Sequence, residues 1–374
     1  MTAFLRQFAA KQLNQIVFPG AHDAGIYGEG KSNVITQSLN IGEQASAGVR
    51  FFDMRIATVL RSDGTYEQRS YHLDGSLVKN QKHKNAQPGE VASHQKVAAF
   101  GGWGQDTLSQ MLNQAKMYVT ANPSEFLILK FSKCFNLQNV VDACVDVLGD
   151  KQFNHNVAAS APINLNTRVV NSLAGFVITL FDPTALAGLN LPPGSARYSG
   201  CLTFGELYDK DTKSSKAYQP IFNGLQYFGK FSSTSDVSTN TKKQKKILES
   251  GTSCHRDAMG MMYWTTTGLF GNIKKRNDKM WIGVNNPSLQ AVWEHGYKKA
   301  TAHQLGLLNI NNLYMRQGRH YVANKNSWTS FTPNIVMVDF ADLQKCVTIF
   351  NLNRVKNEML ETLMRQSNHA IEDL

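Results

Sequence analysis

A histidine followed directly by an aspartate stands near the start of the chain, with small residues on both sides of the pair. The full stretch is Phe18-Pro19-Gly20-Ala21-His22-Asp23-Ala24-Gly25. The apolar residues up to Phe18 predict a buried strand, and Pro19 and Gly20 end it and turn the chain. An imidazole and a carboxylate at a strand end, where small residues let a ligand approach the backbone, suit general acid–base catalysis. The alternative is a turn in which Asp23 caps the next segment.

Charged side chains also mark the second predicted strand, residues 49–57. With the two-residue period of a strand, Phe51, Asp53 and Arg55 share one face, and apolar residues share the other. A packed core does not call for an anion and a cation on one face, because burying charge is costly. We therefore expect something polar against that face.

Further strands are predicted over residues 66–73, 124–132, 174–181, 224–231, 258–264 and 334–340, with helices between several of them. Lys130 and Ser132 come near the carboxyl end of one strand, and Asp339 near that of the last. Continuous apolar strands alternating with helices predict an α/β fold with a parallel sheet covered on both faces. Polar groups at carboxyl strand ends favour a TIM (β/α)8 barrel with its site there. We expect one domain over residues 1–374, with residues 76–99 as a loop insertion.

Composition limits the class of protein. The chain has 374 residues, of which 42% are hydrophobic and 18% charged, as in globular rather than disordered proteins. It has no apolar run long enough to span a bilayer, and Arg6, Gln7 and Lys11 interrupt its first residues, unlike a secretory signal. We expect a soluble chain with no evident signal peptide and assign no compartment, since export by a signal-independent route is compatible with this sequence.

The formal net charge of +11 suits an anionic partner, and three classes of partner would fit: a membrane surface, a phosphate-bearing substrate and nucleic acid. No DNA- or RNA-binding motif accompanies the charge, so nucleic acid is not an expected partner. Five cysteines without a CxxC spacing predict neither a zinc site nor a disulfide framework.

We expect a monomer that contacts an anionic membrane peripherally. The aromatic residues Tyr263, Trp264, Phe270 and Trp281, with lysines nearby, would form the contacting rim. The alternative is that these aromatic residues belong to the core.

Several stretches resemble the phosphatidylinositol-specific phospholipase C X-domain family of phosphodiesterases, most closely its metal-independent bacterial type. Residues 18–25 are similar to its first catalytic loop, and Phe51-Phe52-Asp53-Met54-Arg55 to its second-strand motif. Residues 107–129 resemble its helix and fourth strand, and Val336-Met337-Val338-Asp339-Phe340 its last strand. The resemblance covers most of residues 14–135 and a short piece near the end. It implies a distorted TIM barrel, in agreement with the strand pattern.

The resemblance also implies a phospholipid substrate with a hydroxyl group beside the phosphorus. His22 would take the proton of that hydroxyl as general base, with Asp339 holding and charging its imidazole. Arg55 would bind the phosphate oxygens and stabilise the negative charge of the transition state. His72 would protonate the leaving alcohol as general acid, assisted by Asp23. The implied reaction cleaves the glycerol–phosphate bond of phosphatidylinositol-like lipids through a cyclic phosphate.

The assignment of the general acid has an alternative. In the family, the second histidine is usually followed directly by glycine, whereas Leu73 and Asp74 follow His72. His94, which lies ahead of Gly101, is the other candidate. We favour His72 because it ends a predicted strand.

We predict an enzyme that needs no metal and no other cofactor. Calcium-requiring members of the family place carboxylates on the second and fourth strands, but Arg55 stands at the first position and Lys130 and Ser132 near the second. Calcium needs oxygen ligands, and a guanidinium repels a divalent cation.

The predicted substrate-binding residues are Asp53, Lys130 and Lys230. Bacterial members hold the inositol ring with an Asp-Lys-Tyr segment, and the nearest stretch here is Gly229-Lys230-Phe231. Asp182 stands where the family has an arginine. A structural salt bridge to a barrel carboxylate is the alternative role for Lys130. Two rival functions stay open: the same barrel acting on a glycerophosphodiester or a sphingomyelin-like lipid, and a non-catalytic phospholipid-binding module.

Overall fold

The structure is a computed structural model. It describes residues 4–28, 33–60, 65–72, 102–157, 161–192, 194–208, 216–229, 234–249, 257–266, 272–283, 288–289, 291 and 333–354. The predicted insertion at residues 76–99 and the candidate residues His94, Lys230 and Phe270 lie outside these ranges. The prediction of one domain over the whole chain therefore stays a prediction.

The described strands form a closed barrel and a small sheet. The strands are β1 (Phe18–Ala21), β2 (Phe51–Met54), β3 (Ile56–Leu60), β4 (Tyr66–His72), β5 (Gly102–Thr107), β6 (Leu127–Phe131), β7 (Val177–Phe181), β8 (Cys201–Glu206), β9 (Gly224–Gly229), β10 (Met259–Tyr263) and β11 (Ile335–Val338). The barrel has the order β1-β11-β10-β9-β8-β7-β6-β2. Its neighbouring strands pair in parallel. The TIM-barrel prediction is thereby confirmed.

Helices surround the barrel. Those with defined bounds are α1 (Ile41–Ala47), α2 (Leu108–Ala121), α3 (Leu137–Leu148), α4 (Pro183–Ala187), α5 (Val237–Glu249) and α6 (Ile273–Ile282), and residues 343–354 are also helical. Short 3-10 helices lie at Arg6–Phe8, Leu13–Gln15, Gly149–Lys151, Val170–Leu173 and Ala196–Tyr198. Within the described ranges, no helix combines the length and the apolar character that crossing a bilayer requires.

The predicted strand at residues 49–57 is two strands in the structure. β2 ends at Met54, and the chain leaves the barrel at Arg55 to enter β3. The strands β3, β4 and β5 form a separate antiparallel sheet, so the predicted strand at residues 66–73 does not belong to the barrel. The barrel is completed by β8, which the sequence did not predict. In β8 only Leu202 and Phe204 face the interior core, and such a short apolar pattern gives a weak signal.

The first strand is shifted from its prediction, because β1 contains Pro19 and Gly20. Pro19 has no N–H to donate to a neighbouring strand, but its carbonyl oxygen accepts the N–H of Arg50, at 3.0 Å. At Gly20, a Cβ atom would lie 2.3 Å from the Sδ atom of Met337. Gly20 thus leaves room for the side chain of Met337 on β11, which a larger residue would displace.

Two apolar cores lie on the two sides of the barrel wall. Phe51 belongs to the core inside the barrel, and Phe52 to the core between the strands and the helices. The predicted aromatic rim is wrong for Tyr263 and Trp264, which are 6% and 2% exposed. Tyr263 packs inside the barrel and Trp264 under the helices, because successive residues of a strand point to opposite faces. Trp281 is partly buried.

A buried ion pair lies at the amino-terminal end of the barrel. Arg50 is fully buried and donates from Nε to Glu125 Oε2 at 2.7 Å. It also donates to two backbone carbonyl oxygens, each at 2.7 Å, and to Tyr118 Oη at 2.6 Å. The other carboxylate oxygen of Glu125 accepts the N–H of Leu5, at 2.9 Å. The pair thus fastens the N-terminal segment to the base of the barrel.

We expect Glu125→Gln to lower the free energy of unfolding by about 3 kcal/mol, because it leaves the buried charge of Arg50 without a counter-ion. Urea unfolding followed by circular dichroism measures this change. Asp146→Asn is the control, since Asp146 pairs with Arg197 at 2.8 Å on the surface, where the side chains are 59% and 47% exposed. An exposed pair contributes at most about 1 kcal/mol. Equal losses in the two variants would contradict the expectation.

Candidate active site

Polar side chains gather at the carboxyl ends of the barrel strands. Lower in the barrel the inward positions are apolar, such as Phe51 on β2 and Ile128 on β6. Two residues further along these strands, the same face carries Asp53 and Lys130. The layer at this end includes His22, Asp53, Lys130, Glu206, Tyr227, Tyr263 and Asp339. Because parallel strands all end on one side, residues far apart in the chain meet here.

His22 and Asp339 form a buried pair. They follow β1 and β11, which are neighbours in the barrel although 317 positions separate the two residues. His22 Nδ1 lies 3.0 Å from Asp339 Oδ1, and the residues are 1% and 2% exposed. In a neutral imidazole this contact places the proton on Nδ1, so Nε2 keeps its lone pair. Asn277 donates from Nδ2 to the other oxygen, Asp339 Oδ2, at 2.8 Å.

Asp23 lies between the charged groups of the site. Its Oδ1 is 2.9 Å from Arg55 Nε, and its Oδ2 is 3.6 Å from His22 Nε2 and 3.5 Å from His72 Nε2. Asp23 has a φ of 44°, in the left-handed region that non-glycine residues seldom adopt. Thr36 Oγ1 holds this turn by donating to the carbonyl oxygen of Asp23 at 2.8 Å. The carboxylate therefore faces a guanidinium and two imidazoles.

Arg55 and His72 reach the site from the junction between the barrel and the small sheet. Arg55 stands between β2 and β3, and His72 ends β4; their side chains are 11% and 19% exposed. Tyr71 anchors this junction, because its N–H donates to Arg55 O at 3.0 Å and its phenol to Lys133 O at 2.7 Å. The chain leaves the barrel after β2 and enters the small sheet, whose strand β4 brings the second imidazole, that of His72, to Asp23. His94 lies outside the described residues.

Lys130 lies between two carboxylates and two aromatic rings. Its Nζ is 3.4 Å from Asp53 Oδ1 and 3.7 Å from Glu206 Oε1. The same atom is 4.7 Å and 5.6 Å from the ring centres of Phe204 and Tyr227. Burial lowers the pKa of the Lys130 ammonium group, but Asp53, Tyr227, Tyr263 and Glu206 together outweigh burial, so the pKa is raised. The salt bridge of Lys130 to a barrel carboxylate, which was the alternative role for this residue, is therefore present, and it lies within the candidate site.

A cavity of about 560 Å³ opens beside this cluster, lined among others by Arg55, Asp53, Lys130, Glu206 and Tyr208. Glu206, Tyr208 and the ring of Tyr227 were not among the residues predicted from the sequence. A signal existed, because Glu206-Leu207-Tyr208 carries an acid and a phenol at the spacing of the Asp-Lys-Tyr segment. It was overlooked because β8 was not recognised as a strand.

The pKa values of the buried groups follow from their neighbours. Burial lowers the pKa of His22, but the carboxylates of Asp23 and Asp339 raise it more, so the pKa lies above 6.5. Burial raises the pKa of Asp23, but Arg55, His22 and His72 outweigh it and hold the pKa well below the ordinary value. Burial raises the pKa of Asp339, and its pairing with His22 offsets only part of this rise. His22 is thus a stronger base than a free imidazole.

The site does not fit a calcium ion. His22, Asp23 and Asp53 offer ligand atoms within 4.8 Å of one another. This set contains a nitrogen, whereas calcium takes about six to eight oxygen ligands. Both carboxylates are already paired with cations, Asp23 with Arg55 at 2.9 Å and Asp53 with Lys130 at 3.4 Å. A divalent cation would enter against these two positive charges.

We expect the pKa of His22 to fall in both Asp339→Asn and Asp23→Asn, because each variant removes an anion that stabilises the imidazolium. NMR of the chain labelled with 15N-histidine measures the titration, and His22→Gln assigns the signals by their loss. Asp146→Asn, on the surface, should leave the value unchanged. An unchanged or higher pKa in both site variants would contradict this account of the electrostatics.

No protein-family model and no curated protein sequence matches the chain. Among solved structures, the phosphatidylinositol-specific phospholipase C from Listeria monocytogenes is similar, with a TM-score of 0.48, 12% identity and coverage of 94% of this chain and 97% of that one. The corresponding enzyme from S. aureus gives a TM-score of 0.47 and 13% identity, with coverage of 93% and 94%. A calcium-dependent phosphoinositol-specific phospholipase C from Pseudomonas sp. gives 0.38 and 12%, with coverage of 70% and 86%. All three of these similar structures are bacterial phospholipases C.

Proposed function

We propose that the chain is a phosphatidylinositol-specific phospholipase C-like phosphodiesterase, which cleaves the glycerol–phosphate bond of phosphatidylinositol-like lipids. One observation carries the proposal: the carboxylate of Asp23 is within 3.6 Å of two imidazoles and an arginine. One of these imidazoles, His22, is backed by a second carboxylate. The arrangement supplies a base, an acid and an anion-binding group within reach of one phosphate.

The attack on phosphorus uses the base and the arginine. His22 Nε2 takes the proton of the hydroxyl beside the phosphate, and the freed oxygen attacks phosphorus. Asp339, 3.0 Å from Nδ1, stabilises the imidazolium that forms. Arg55 contacts Asp23 through Nε, so its two NH2 groups are directed to the phosphate oxygens, where negative charge builds up.

The departure of the glycerol uses the second imidazole. Protonated His72 gives its proton to the glycerol oxygen as the phosphorus–oxygen bond breaks, and diacylglycerol and a cyclic phosphate are the products. Asp23 lies 3.5 Å from His72 and holds its imidazole toward the leaving group. Because the pKa of Asp23 is lowered, it stays an anion through the cycle and keeps Arg55 in place.

The cavity favours a polyol head group over a quaternary ammonium. Asp53 and Glu206 accept hydrogen bonds from hydroxyl groups, and Lys130 donates them. A choline group is held by aromatic faces, but the faces of Phe204 and Tyr227 are already occupied by the ammonium of Lys130. This favours a phosphatidylinositol-like lipid over a sphingomyelin-like one. Such a substrate lies in a bilayer, so we include peripheral contact of the basic chain with an anionic membrane in the proposal.

Incubation with phosphatidylinositol, phosphatidylcholine, sphingomyelin and a glycerophosphodiester tests the substrate class. We expect diacylglycerol and a cyclic inositol phosphate from phosphatidylinositol alone. His22→Ala should lower the rate by about 10²- to 10⁴-fold, the usual contribution of a general base. His155→Ala, in the segment after α3, is the matched control and should keep full activity. Turnover of the choline lipids only, or an active His22→Ala variant, would refute the proposal.

We expect the activity to be unchanged in excess EDTA, because Arg55 supplies the positive charge at the phosphate. Arg55→Lys should lower kcat by about 10²- to 10³-fold, since a lysine cannot contact Asp23 and the phosphate in the same planar geometry. Steady-state rates with EDTA and with added calcium measure both effects. A loss of activity in EDTA that calcium restores would show that metal independence is wrong.

A further inference from the structure

Asn277 connects helix α6 to the buried His22–Asp339 pair. It is 5% exposed, and its Nδ2 donates to Asp339 Oδ2 at 2.8 Å and to Ile273 O at 3.1 Å. Its Oδ1 accepts the backbone N–H of Thr266, at 2.9 Å. One side chain thus joins the segment after β10, helix α6 and the carboxylate after β11.

We propose that Asn277 is a positioning residue for the general base, which fixes the plane of the Asp339 carboxylate so that Oδ1 stays on His22 Nδ1. The proposal rests on the proposed function, in which His22 is that base. A carboxylate bonded through one oxygen can turn about its Cβ–Cγ bond. Here Oδ1 lies 3.0 Å from His22 and Oδ2 lies 2.8 Å from Asn277, so partners on both oxygens prevent the turn.

The orientation of the Asn277 amide is itself determined by its neighbours. The backbone N–H of Thr266 can only donate, so the atom facing it must be the amide oxygen. The amide NH2 group then faces Asp339, which can only accept while it is ionised. A flipped amide would lose both bonds. The hydrogen bonds therefore converge on the Asp339 carboxylate, from Asn277 on Oδ2 and from His22 Nδ1 on Oδ1, and the proton of the neutral imidazole lies on Nδ1.

Helix α5 offers a matched comparison. Asn240 is fully buried and donates from Nδ2 to the carbonyl oxygens of Tyr263 and Thr265, at 3.0 and 2.6 Å. Asn240 and Asn277 thus both join a helix to the backbone at the carboxyl end of β10. Asn277 also donates to the Asp339 carboxylate. Replacing each asparagine separates the effect on the carboxylate from the effect on helix packing.

The charges around the His22–Asp339 pair determine in which direction the His22 pKa should change when Asn277 is replaced. Asp23 and Arg55 face His22 from the barrel end, the ring of Tyr263 lies 6.5 Å from the His22 ring, and Arg276 on α6 acts on Asp339. The unprotonated pair carries one negative charge and the protonated pair none. Removing the hydrogen bond from Asn277 therefore destabilises the unprotonated pair more, and the pKa of His22 should rise.

The experiment compares Asn277→Leu and Asn277→Ser with Asn240→Leu in the full chain. The serine variant remains small and polar, and its hydroxyl binds the carbonyl four residues earlier but does not reach Asp339. We expect both Asn277 variants to speed solvent exchange of the His22 Nδ1 proton at least about tenfold and to raise the His22 pKa. Because a hydrogen bond to a charged group contributes about 1.5–3 kcal/mol, kcat should fall about 10- to 100-fold. KM should change little, and Asn240→Leu should show none of these effects.

The proposal would be overturned if the His22 Nδ1 proton exchange rate and the His22 pKa in both Asn277 variants equalled those of the wild-type chain. The same changes in Asn240→Leu would also overturn it, because they would show general loosening of the helices. The NMR measurements do not depend on turnover. If the wild-type chain cleaves none of the lipids, the proposed function fails, while the effect of Asn277 on His22 is still decided.

Discussion

The buried carboxylate of Asp23 is the charge to which the other groups of the site are adjusted. A carboxylate that is 2% exposed stays ionised only if cations and hydrogen-bond donors surround it. Arg55 at 2.9 Å, with an imidazole of His22 and one of His72 within 3.6 Å, provides that environment. Each partner comes from a different part of the fold. The barrel supplies the first imidazole, the exit of the chain after β2 supplies the arginine, and the small sheet supplies the second imidazole.

The same balance of charge continues across the cavity. Lys130 is paired with Asp53 and Glu206, so anions and cations alternate along this end of the barrel. Such alternation offsets the cost of burying the charges of this cluster.

Asparagine side chains complete the hydrogen bonding of backbone groups in and next to the barrel strands. Asn166 accepts from Gln226 N at 2.9 Å and donates to Gln226 O at 2.7 Å, as a neighbouring strand would. Asn353 does the same for the N–H and carbonyl of Val17, at 2.8 and 2.7 Å. Buried backbone groups need such partners. The two asparagines thus leave the N–H and carbonyl groups of Val17 and Gln226 paired.

The barrel class and the loop that carries His22 and Asp23 could be predicted from local patterns of residues. Continuous apolar strands and polar residues at their ends are local signals, and they also indicated Asp53, Arg55, Lys130 and Asp339 as site candidates. Only the tertiary structure decided which groups touch. It broke the second strand at Arg55, placed β4 outside the barrel, and added Glu206 and Asn277 to the site. These outcomes depend on contacts between distant segments, such as the 317 positions that separate His22 from Asp339. A single polar residue belongs to no repeating pattern in the sequence. Which side chain it contacts therefore depends on how the strands close into the barrel and not on its neighbours in the chain.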